Sequence, residues 1–321
     1  MILSMKPPYD ITTTILKLIS SISEKIGQIN AVYLEKQSPQ LRKQNRIKTI
    51  HSSLQIEGNT LTEEQITAIV ENKRVLAPQK DITEVLNAIE VYSKISNFKP
   101  YSEKSFLEAH KFLMNSLLEN NGKYRKSSVG IVKGTQLKHL APPAENVPFL
   151  IKNLFDYIKN SDELTLIKAC VFHYEIEFIH PFLDGNGRMG RLWQTVLLMN
   201  EYPVFEFLPI ESTINLTQYK YYKALEISDK EGKSNVFIEY MLNVIDKSLF
   251  DLLQSRTKKL TDLERLNYFI SNSKKEFSRI DYIKFFKDIS TATASRDLKK
   301  GVTLNLFLKV GDKNKTIYLI K

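Results

Sequence analysis

The chain has 321 residues and a formal net charge of +10, with 42% hydrophobic and 26% charged residues. Its length suffices for two or three domains, and its composition is ordinary for a globular protein. No apolar run approaches the roughly 20 residues of a membrane-spanning helix, and the first eight residues are too short for a signal peptide, so we expect a cytoplasmic protein without a membrane contact. Cys170, the only cysteine, excludes an intrachain disulfide and has apolar neighbours typical of a buried structural thiol.

Helical periodicity dominates the first 250 residues and predicts a mainly α fold class. The first helix is expected over residues 11–34 and the second over residues 39–55. Gly58 and Asn59, shortly after residue 55, break the second helix. The pattern Thr62 to Gln65 resembles a capping box that starts a third helix. Further helices are predicted over residues 85–95, 105–118, 149–159, 164–179, 188–199, 215–227 and 236–252.

Residues 123–148 interrupt this helical pattern. Glycines and prolines punctuate the segment, and residues 128–132 have the composition of a strand. We expect a short β-hairpin, or flap, with an irregular exit.

The C-terminal part, residues 251–321, carries most of the positive charge, with 16 Lys and Arg against 8 Asp and Glu. Helices are expected over 262–271, 280–287 and 290–300, followed by strands over 304–310 and 316–320 around a turn at 311–314. Three helices and a two-stranded wing predict a winged helix-turn-helix. The candidate contact residues on its third helix are Thr293, Arg296, Lys299 and Lys300. These residues indicate that the helix binds DNA or a partner protein. The alternative is a basic surface that contacts only solvent.

The most informative stretch is residues 180–191, His-Pro-Phe-Leu-Asp-Gly-Asn-Gly-Arg-Met-Gly-Arg. Pro181 ends the preceding helix and places His180 on a turn, where an imidazole of ordinary pKa suits a general base. Gly185, Asn186 and Gly187 then lead into a helix whose N-terminus favours an anion.

Arg188 and Arg191 are three residues apart in the first turn of that helix, where cations oppose the helix dipole. A polyphosphate would compensate both of them. Asp184 is the nearest acid and a candidate ligand for Mg²⁺ that bridges phosphates. A nucleoside triphosphate with Mg²⁺ is therefore the expected ligand. A Walker A motif is absent from the sequence, and a zinc site from His173, Glu177 and His180 leaves the arginines unexplained.

Residues 180–191 resemble the Fic-domain signature HPFx[D/E]GNGRxxR at every specified position, and the likeness extends over residues 82–247. The resemblance implies a helical core that transfers AMP from ATP to a hydroxyl side chain of a protein. It implies that His180 is the base and Asp184 the metal ligand, and that Asn186, with the backbone of Gly185 and Gly187, holds the α-phosphate.

Further roles follow from the same resemblance. Arg188 contacts the β-phosphate, Arg191 contacts the γ-phosphate and Phe182 anchors the loop in the core. Gly187 stands where phosphotransferring relatives have lysine, which favours adenylylation. The flap residues Ile131, Val132, Lys133 and Gly134 are expected to dock an extended target segment by strand addition.

A second motif lies upstream. Ser53 and Glu57 share a helix face, and Glu57 is near the helix C-terminus, where an acid needs a cation. With Gly58, they resemble the Fic inhibitory motif [S/T]xxxE[G/N], in which the glutamate pairs with the second signature arginine, here Arg191, and blocks productive binding of the γ-phosphate.

The expected organisation is an N-terminal region with the inhibitory helix (1–81), a Fic core (82–250) and a winged helix (251–321). The expected function is an autoinhibited protein adenylyltransferase. Self-modification and a homodimer are compatible with the resemblance, although no residue identifies an interface. The alternative is a DNA-binding regulator whose Fic core senses nucleotide or removes AMP.

Overall fold

The computed structural model describes residues 6–33, 39–127, 130–133, 136–257, 261–273, 275–286, 289–311 and 316–321. They form two compact units, Met1–Leu253 and Gln254–Lys321. No described helix combines the length and the apolar content that a membrane span needs.

Eleven helices of the described chain begin in the first unit. They are α1 (Thr13–Tyr33), α2 (Pro39–Ile56), α3 (Glu63–Val70), α4 (Gln79–Ser93), α5 (Glu103–Leu113), α6 (Val147–Asn160), α7 (Thr165–Ile179), α8 (Asn186–Glu201), α9 (Ile210–Leu216), α10 (Gln218–Glu231) and α11 (Asn235–Thr257). Single 3-10 turns lie at Ile95–Asn97, Ala144–Asn146 and Pro203–Glu206.

The core of the first unit is built on α7 and α8. Eleven of the fifteen residues of α7 are buried, as expected for a helix that is apolar on all sides. Trp193 of α8 is fully buried, and its indole N–H donates to the carbonyl of Pro100 at 3.0 Å. The free thiol of Cys170 is buried in the same core, as the sequence predicts. A rigid, deeply packed helix pair therefore carries the loop between residues 179 and 186.

Helix α2 belongs to this core as well. Its apolar residues Ile47, Ile50 and Leu54 are at most 5% exposed, and the helix packs mainly against α9 and α4. The helix ends at Ile56, and Gly58 has a positive φ of 91°, which glycine adopts without strain. Glu57 therefore lies at the end of a buried helix, fixed relative to α8.

The helix expected over residues 85–95 begins earlier, at Gln79, and ends at Ser93, and two other predicted helices are shortened or divided by a turn. The helix expected over residues 105–118 ends at Leu113, because the chain turns there and Ser116 has a positive φ of 58°. The helix expected over residues 215–227 is two helices, α9 and α10, which are separated at Thr217. In both places a local turn ends a helix although the apolar periodicity continues.

The predicted hairpin is present as strands β1 (Gly130–Lys133) and β2 (Gln136–Leu140). They pair antiparallel from Gly130 opposite Leu140, with a register shift between Ile131 and Val132. Only the backbone of these strands is described. Gly134 and residues 128–129 lie outside the described residues.

The second unit contains α12 (Asp262–Asn272), β3 (Glu276–Ser278), α13 (Arg279–Phe285), α14 (Thr291–Thr303), β4 (Phe307–Val310) and β5 (Ile317–Ile320). Its antiparallel sheet has the order β3-β5-β4, so the prediction of two strands was wrong by one short strand. Strand β3 has three residues, which are too few to show the alternation of apolar and polar residues that identifies a strand in a sequence. Of the expected turn at 311–314, only Gly311 is described.

The second unit has a core of its own. Its buried side chains are those of Leu266, Phe269, Phe277, Tyr282, Ala294, Leu298 and Phe307. Arg265 and Asp297 form a bidentate pair beneath them, with N–O distances of 2.6 and 2.8 Å. This pair ties α12 to α14, and α14 carries the candidate contact residues.

Candidate active site

His180 forms the C-cap of α7 in a left-handed conformation, with φ 49° and ψ 59°. This conformation is strained for a residue with a side chain and is often found at functional sites. The imidazole Nδ1 is 3.3 Å from the carbonyl oxygen of Glu177. Because a carbonyl only accepts, this contact assigns the proton to Nδ1 and makes Nε2 the basic nitrogen.

The loop that follows is held from inside by Asn186. Its Oδ1 accepts from the backbone N–H of Phe182 at 2.8 Å, and its Nδ2 donates to the carbonyl of Phe182 at 3.0 Å. The side chain is 2% exposed, so the observed task of Asn186 is to brace the loop. Gly185, at φ 85°, then allows α8 to begin. Contact of Asn186 with an α-phosphate stays a prediction.

His110 of α5 supports the same loop and was missed from the sequence. Its ring stacks on Phe182, with centroids 3.6 Å apart and planes 8° apart. Nδ1 accepts from the N–H of Gly122 at 2.8 Å, so the N–H lies on Nε2, which contacts the carbonyl of Asp184 at 3.0 Å. Phe182 is fully buried, which confirms it as an anchor. His110 therefore contacts the residues on both sides of Leu183, the ring of Phe182 and the backbone carbonyl of Asp184.

Burial lowers the pKa of His110 from 6.5 to about 4. The unfolded chain takes up this proton near pH 6.5, whereas the folded protein takes it up near pH 4. The stability that the neutral imidazole contributes is therefore complete above pH 6.5 and is lost as pH falls toward 4. The loss is roughly 3 kcal/mol. We expect His110→Gln to flatten the dependence of the melting temperature on pH in this window.

Arg188 is buried between two carboxylates. Its Nη1 lies 3.2 Å from Glu84 of α4, and its Nη2 lies 3.1 Å from Asp184, whose side chain is 55% exposed. Glu84 also accepts from Asn59 Nδ2 at 2.8 Å. Glu84 was missed from the sequence, where its only signal is a carboxylate on the buried face of an amphipathic helix.

Arg191, which is 2% exposed, takes its partners from the end of α2. Nη2 donates to Glu57 Oε1 at 2.6 Å and to the carbonyl of Ser53 at 3.0 Å, and Nε donates to the hydroxyl of Ser53 at 3.3 Å. Burial alone would lower the pKa of Arg191, but the charges of Glu57, Tyr221 and Glu177 raise it above its ordinary value. The two arginines of the motif are thus compensated internally by carboxylates.

The compensation is incomplete. Among the residues that the structure describes, Arg188 Nε and Arg191 Nη1 are buried without a hydrogen-bond partner. A Cβ at Gly187 would lie 2.5 Å from Glu57 Oε1 and 3.1 Å from Arg191 Nη1, so a side chain there would displace the ends of these two side chains. Unsatisfied guanidinium N–H groups beside a glycine loop suit an added anion.

Glu177 is a further carboxylate beside Arg191. Burial raises its pKa, but the nearby His173, a hydrogen bond from Tyr221 and the charge of Arg191 together lower it to about 2. Tyr221 donates to Glu177 Oε1 at 2.6 Å. His173 contacts Gln194 through Nδ1 at 2.6 Å and Tyr221 through Nε2 at 3.0 Å. Both nitrogens of His173 are engaged, which disfavours the zinc alternative.

The remaining candidate residues lie in the second unit. On α14, Arg296 and Lys299 are exposed and Thr293 is half-buried. Lys300 is also exposed, but it forms an ion pair with Asp262 at 2.7 Å. Arg296 and Lys299 are therefore the cations that this helix presents most openly.

Known proteins resemble this chain along most of its length. A model of the Fic/DOC family matches residues 100–198. The crystal structure of a Fic family protein from Desulfovibrio desulfuricans is 36% identical, covers 99% of this chain and 98% of its own, and has a TM-score of 0.78. A histidine turn, a glycine loop and two buried arginines on a helix pair define a Fic-type domain. The chain belongs to the Fic family.

Curated relatives are more distant. "Protein adenylyltransferase Fic" from Drosophila erecta is 27% identical over 245 residues, which are 72% of this chain and 47% of the relative. "Protein adenylyltransferase fic-1" from Caenorhabditis elegans is 25% identical over 246 residues, or 73% of this chain and 46% of the relative. The chain thus spans about half the length of the curated relatives it matches.

Proposed function

We propose that this protein transfers AMP from ATP to a hydroxyl side chain of a protein. The observation that carries the proposal is the pair of buried arginines with unsatisfied N–H groups, next to a glycine loop and a histidine turn. The names of the curated relatives support the same reaction.

In the proposed reaction the target hydroxyl attacks the α-phosphorus of ATP, and the bond from that phosphorus to the bridging oxygen of the β-phosphate breaks. Pyrophosphate leaves. His180 Nε2 takes the proton of the hydroxyl. The contact of Nδ1 with the carbonyl of Glu177 orients the ring for this transfer. The N–H groups at the start of α8 lie where charge develops on the α-phosphate. Arg188 and Arg191 hold the β- and γ-phosphates.

Mg²⁺ fits this donor set through Asp184. The carboxylate of Asp184 is the most exposed of those around the loop, and its Oδ1 contacts Gly185 and Arg188. Within the described ranges, no three His, Cys, Asp or Glu side chains converge as a metal cage. Mg²⁺ needs none when phosphates supply most of its ligands. When bound, it would neutralise phosphate charge.

The proposed enzyme is autoinhibited by Glu57. The 2.6 Å contact between Glu57 and Arg191 occupies the guanidinium that the γ-phosphate requires. The Glu57 side chain is 32% exposed, so it can leave Arg191 without unpacking α2. A nucleotide bound without this arginine would be held less productively.

The flap is proposed to dock the target. The backbone pairing of β1 with β2 leaves an extended edge to which a target strand could add. Hydrogen bonds to the main chain of the target would position its hydroxyl side chain and would require little specificity for the target sequence.

The reaction is tested with ATP labelled at either the α- or the γ-phosphate. The full chain carrying Glu57→Gly is incubated with Mg²⁺ and lysate proteins. We expect the α label, and not the γ label, to become covalently bound, with a mass gain of one AMP in the modified peptides. Nucleotide binding without incorporation of either label would favour the regulator that only senses nucleotide.

We propose that the protein is located in the cytoplasm. We further propose that the second unit is a winged helix that contacts DNA. The exposed cations of α14 and the basic charge of residues 251–321 support DNA.

In the full chain, Arg296→Ala with Lys299→Ala should reduce the slope of log affinity for duplex DNA against log salt by about 2. The exposed control Lys126→Ala should leave it unchanged. If the parent chain does not bind DNA, a docked protein is favoured.

A further inference from the structure

Arg125 is a buried arginine whose guanidinium donates to four backbone carbonyls. It is 3% exposed. Nε donates to His180 at 2.7 Å, and Nη2 donates to Ile179 at 3.2 Å. Nη1 donates to Ser127 at 2.9 Å, and Nη2 also donates to Pro142 at 2.5 Å. One side chain therefore joins three separate segments of the chain.

Two of these contacts fix the backbone that carries the proposed base. The carbonyls of Ile179 and His180 lie on either side of the left-handed residue His180. The backbone N–H of Arg125 adds a third bond, to the carbonyl of Pro181 at 2.9 Å. A strained conformation persists when its surroundings over-determine it, and these bonds hold three consecutive carbonyls. The cation also lies at the C-terminus of α7, where the helix dipole favours it.

The other two contacts fix the base of the flap. Ser127 comes shortly before β1, and Pro142 comes shortly after β2. The two ends of the hairpin are therefore bound to the same guanidinium that holds the carbonyl of His180. A shift of either end relative to the histidine turn would cost at least one of these bonds.

We propose that Arg125 is a positioning residue that sets the distance between the flap and His180, and so aligns the hydroxyl of a docked target with the base. The inference rests on the proposed adenylyl transfer. Arginine suits the task because its planar guanidinium carries five donors in a fixed arrangement, whereas lysine has three donors on a point charge. Arg125 contacts neither nucleotide nor target in this scheme.

The experiment uses the full chain carrying Glu57→Gly as the parent, with Arg125→Lys and Arg125→Met as variants. Lys126→Met is the matched control, because Lys126 is the exposed neighbour in sequence. Transfer of label from α-labelled ATP to lysate proteins and to the chain itself gives kcat and the KM for ATP. Affinity for α,β-methylene ATP, which cannot transfer AMP, reports an intact nucleotide site, and thermal melting reports folding.

We expect kcat to fall about 10- to 100-fold in Arg125→Met and less in Arg125→Lys, with KM and analogue affinity within twofold of the parent. Lys126→Met should match the parent. Unchanged kcat in both variants overturns the inference. So does a parallel loss of kcat and analogue affinity, including by unfolding, because Arg125 would then support the core as a whole. A parent that binds nucleotide but transfers nothing contradicts the proposed function instead.

Discussion

Replacing Glu57 by glycine is expected to raise the rate of AMP incorporation about 10- to 100-fold. The change removes the acceptor of the 2.6 Å bond from Arg191 Nη2 and leaves the Ser53 contacts in place. A hydrogen bond to a charged group contributes about 1.5–3 kcal/mol. Glu57 and the γ-phosphate compete for Arg191, and losing this contribution from Glu57 shifts the competition toward the γ-phosphate by about 10- to 100-fold.

A graded series separates charge from shape. Glu57→Gln keeps the size of the side chain and weakens the pair with Arg191, so we expect a smaller rise than with glycine. Glu119→Gly, an equivalent change in an exposed turn, should leave the rate unchanged. The measurement is covalent α label per protein at a fixed ATP concentration. A rate equal to that of the unaltered chain would refute inhibition by Glu57.

Replacing His180 by alanine in the Glu57→Gly chain is expected to lower the rate on the order of 10²- to 10⁴-fold, the usual contribution of a general base. Contacts of Asn186, Phe182 and His110 hold the loop, and this change leaves them in place. Affinity for α,β-methylene ATP and the melting temperature should therefore change little. Transfer that persists at the parent rate would mean that another group takes the proton.

The pH dependence offers an independent check on the same residue. The rate of the Glu57→Gly chain should rise with pH as the base loses its proton, and that rise should be absent from the residual rate of His180→Ala. His110 cannot produce it above pH 6, because burial lowers its pKa to about 4.

Most parts of the site that were predictable from the sequence are contiguous in it, and the exception is the upstream motif of Ser53 and Glu57, which contacts Arg191 as expected. The stretch from His180 to Arg191 supplies base, acid, glycines and arginines within twelve residues, and the resemblance to the Fic family is confirmed. Helices with a clear apolar period were also found. The short strand β3 was missed because only its pairing with β5 identifies it.

The residues that were missed act across long separations. Glu84 is 104 residues from Arg188, His110 is 74 from Asp184 and Arg125 is 55 from His180. Each looks like an ordinary polar residue in its local segment. Their roles depend on burial and on which carbonyl or carboxylate the fold brings near, and a single sequence does not contain that information.

The burial of α2 has a genetic consequence. Ile47, Ile50 and Leu54 are part of the core, so a deletion through this helix removes apolar packing together with the carboxylate of Glu57, the proposed inhibitor. Such a truncation should lower the amount of folded protein, and with it the activity, because the core of the first unit would be incomplete. A missense change confined to Glu57 should instead leave the fold intact and raise the proposed activity. Two lesions a few codons apart would then give opposite phenotypes.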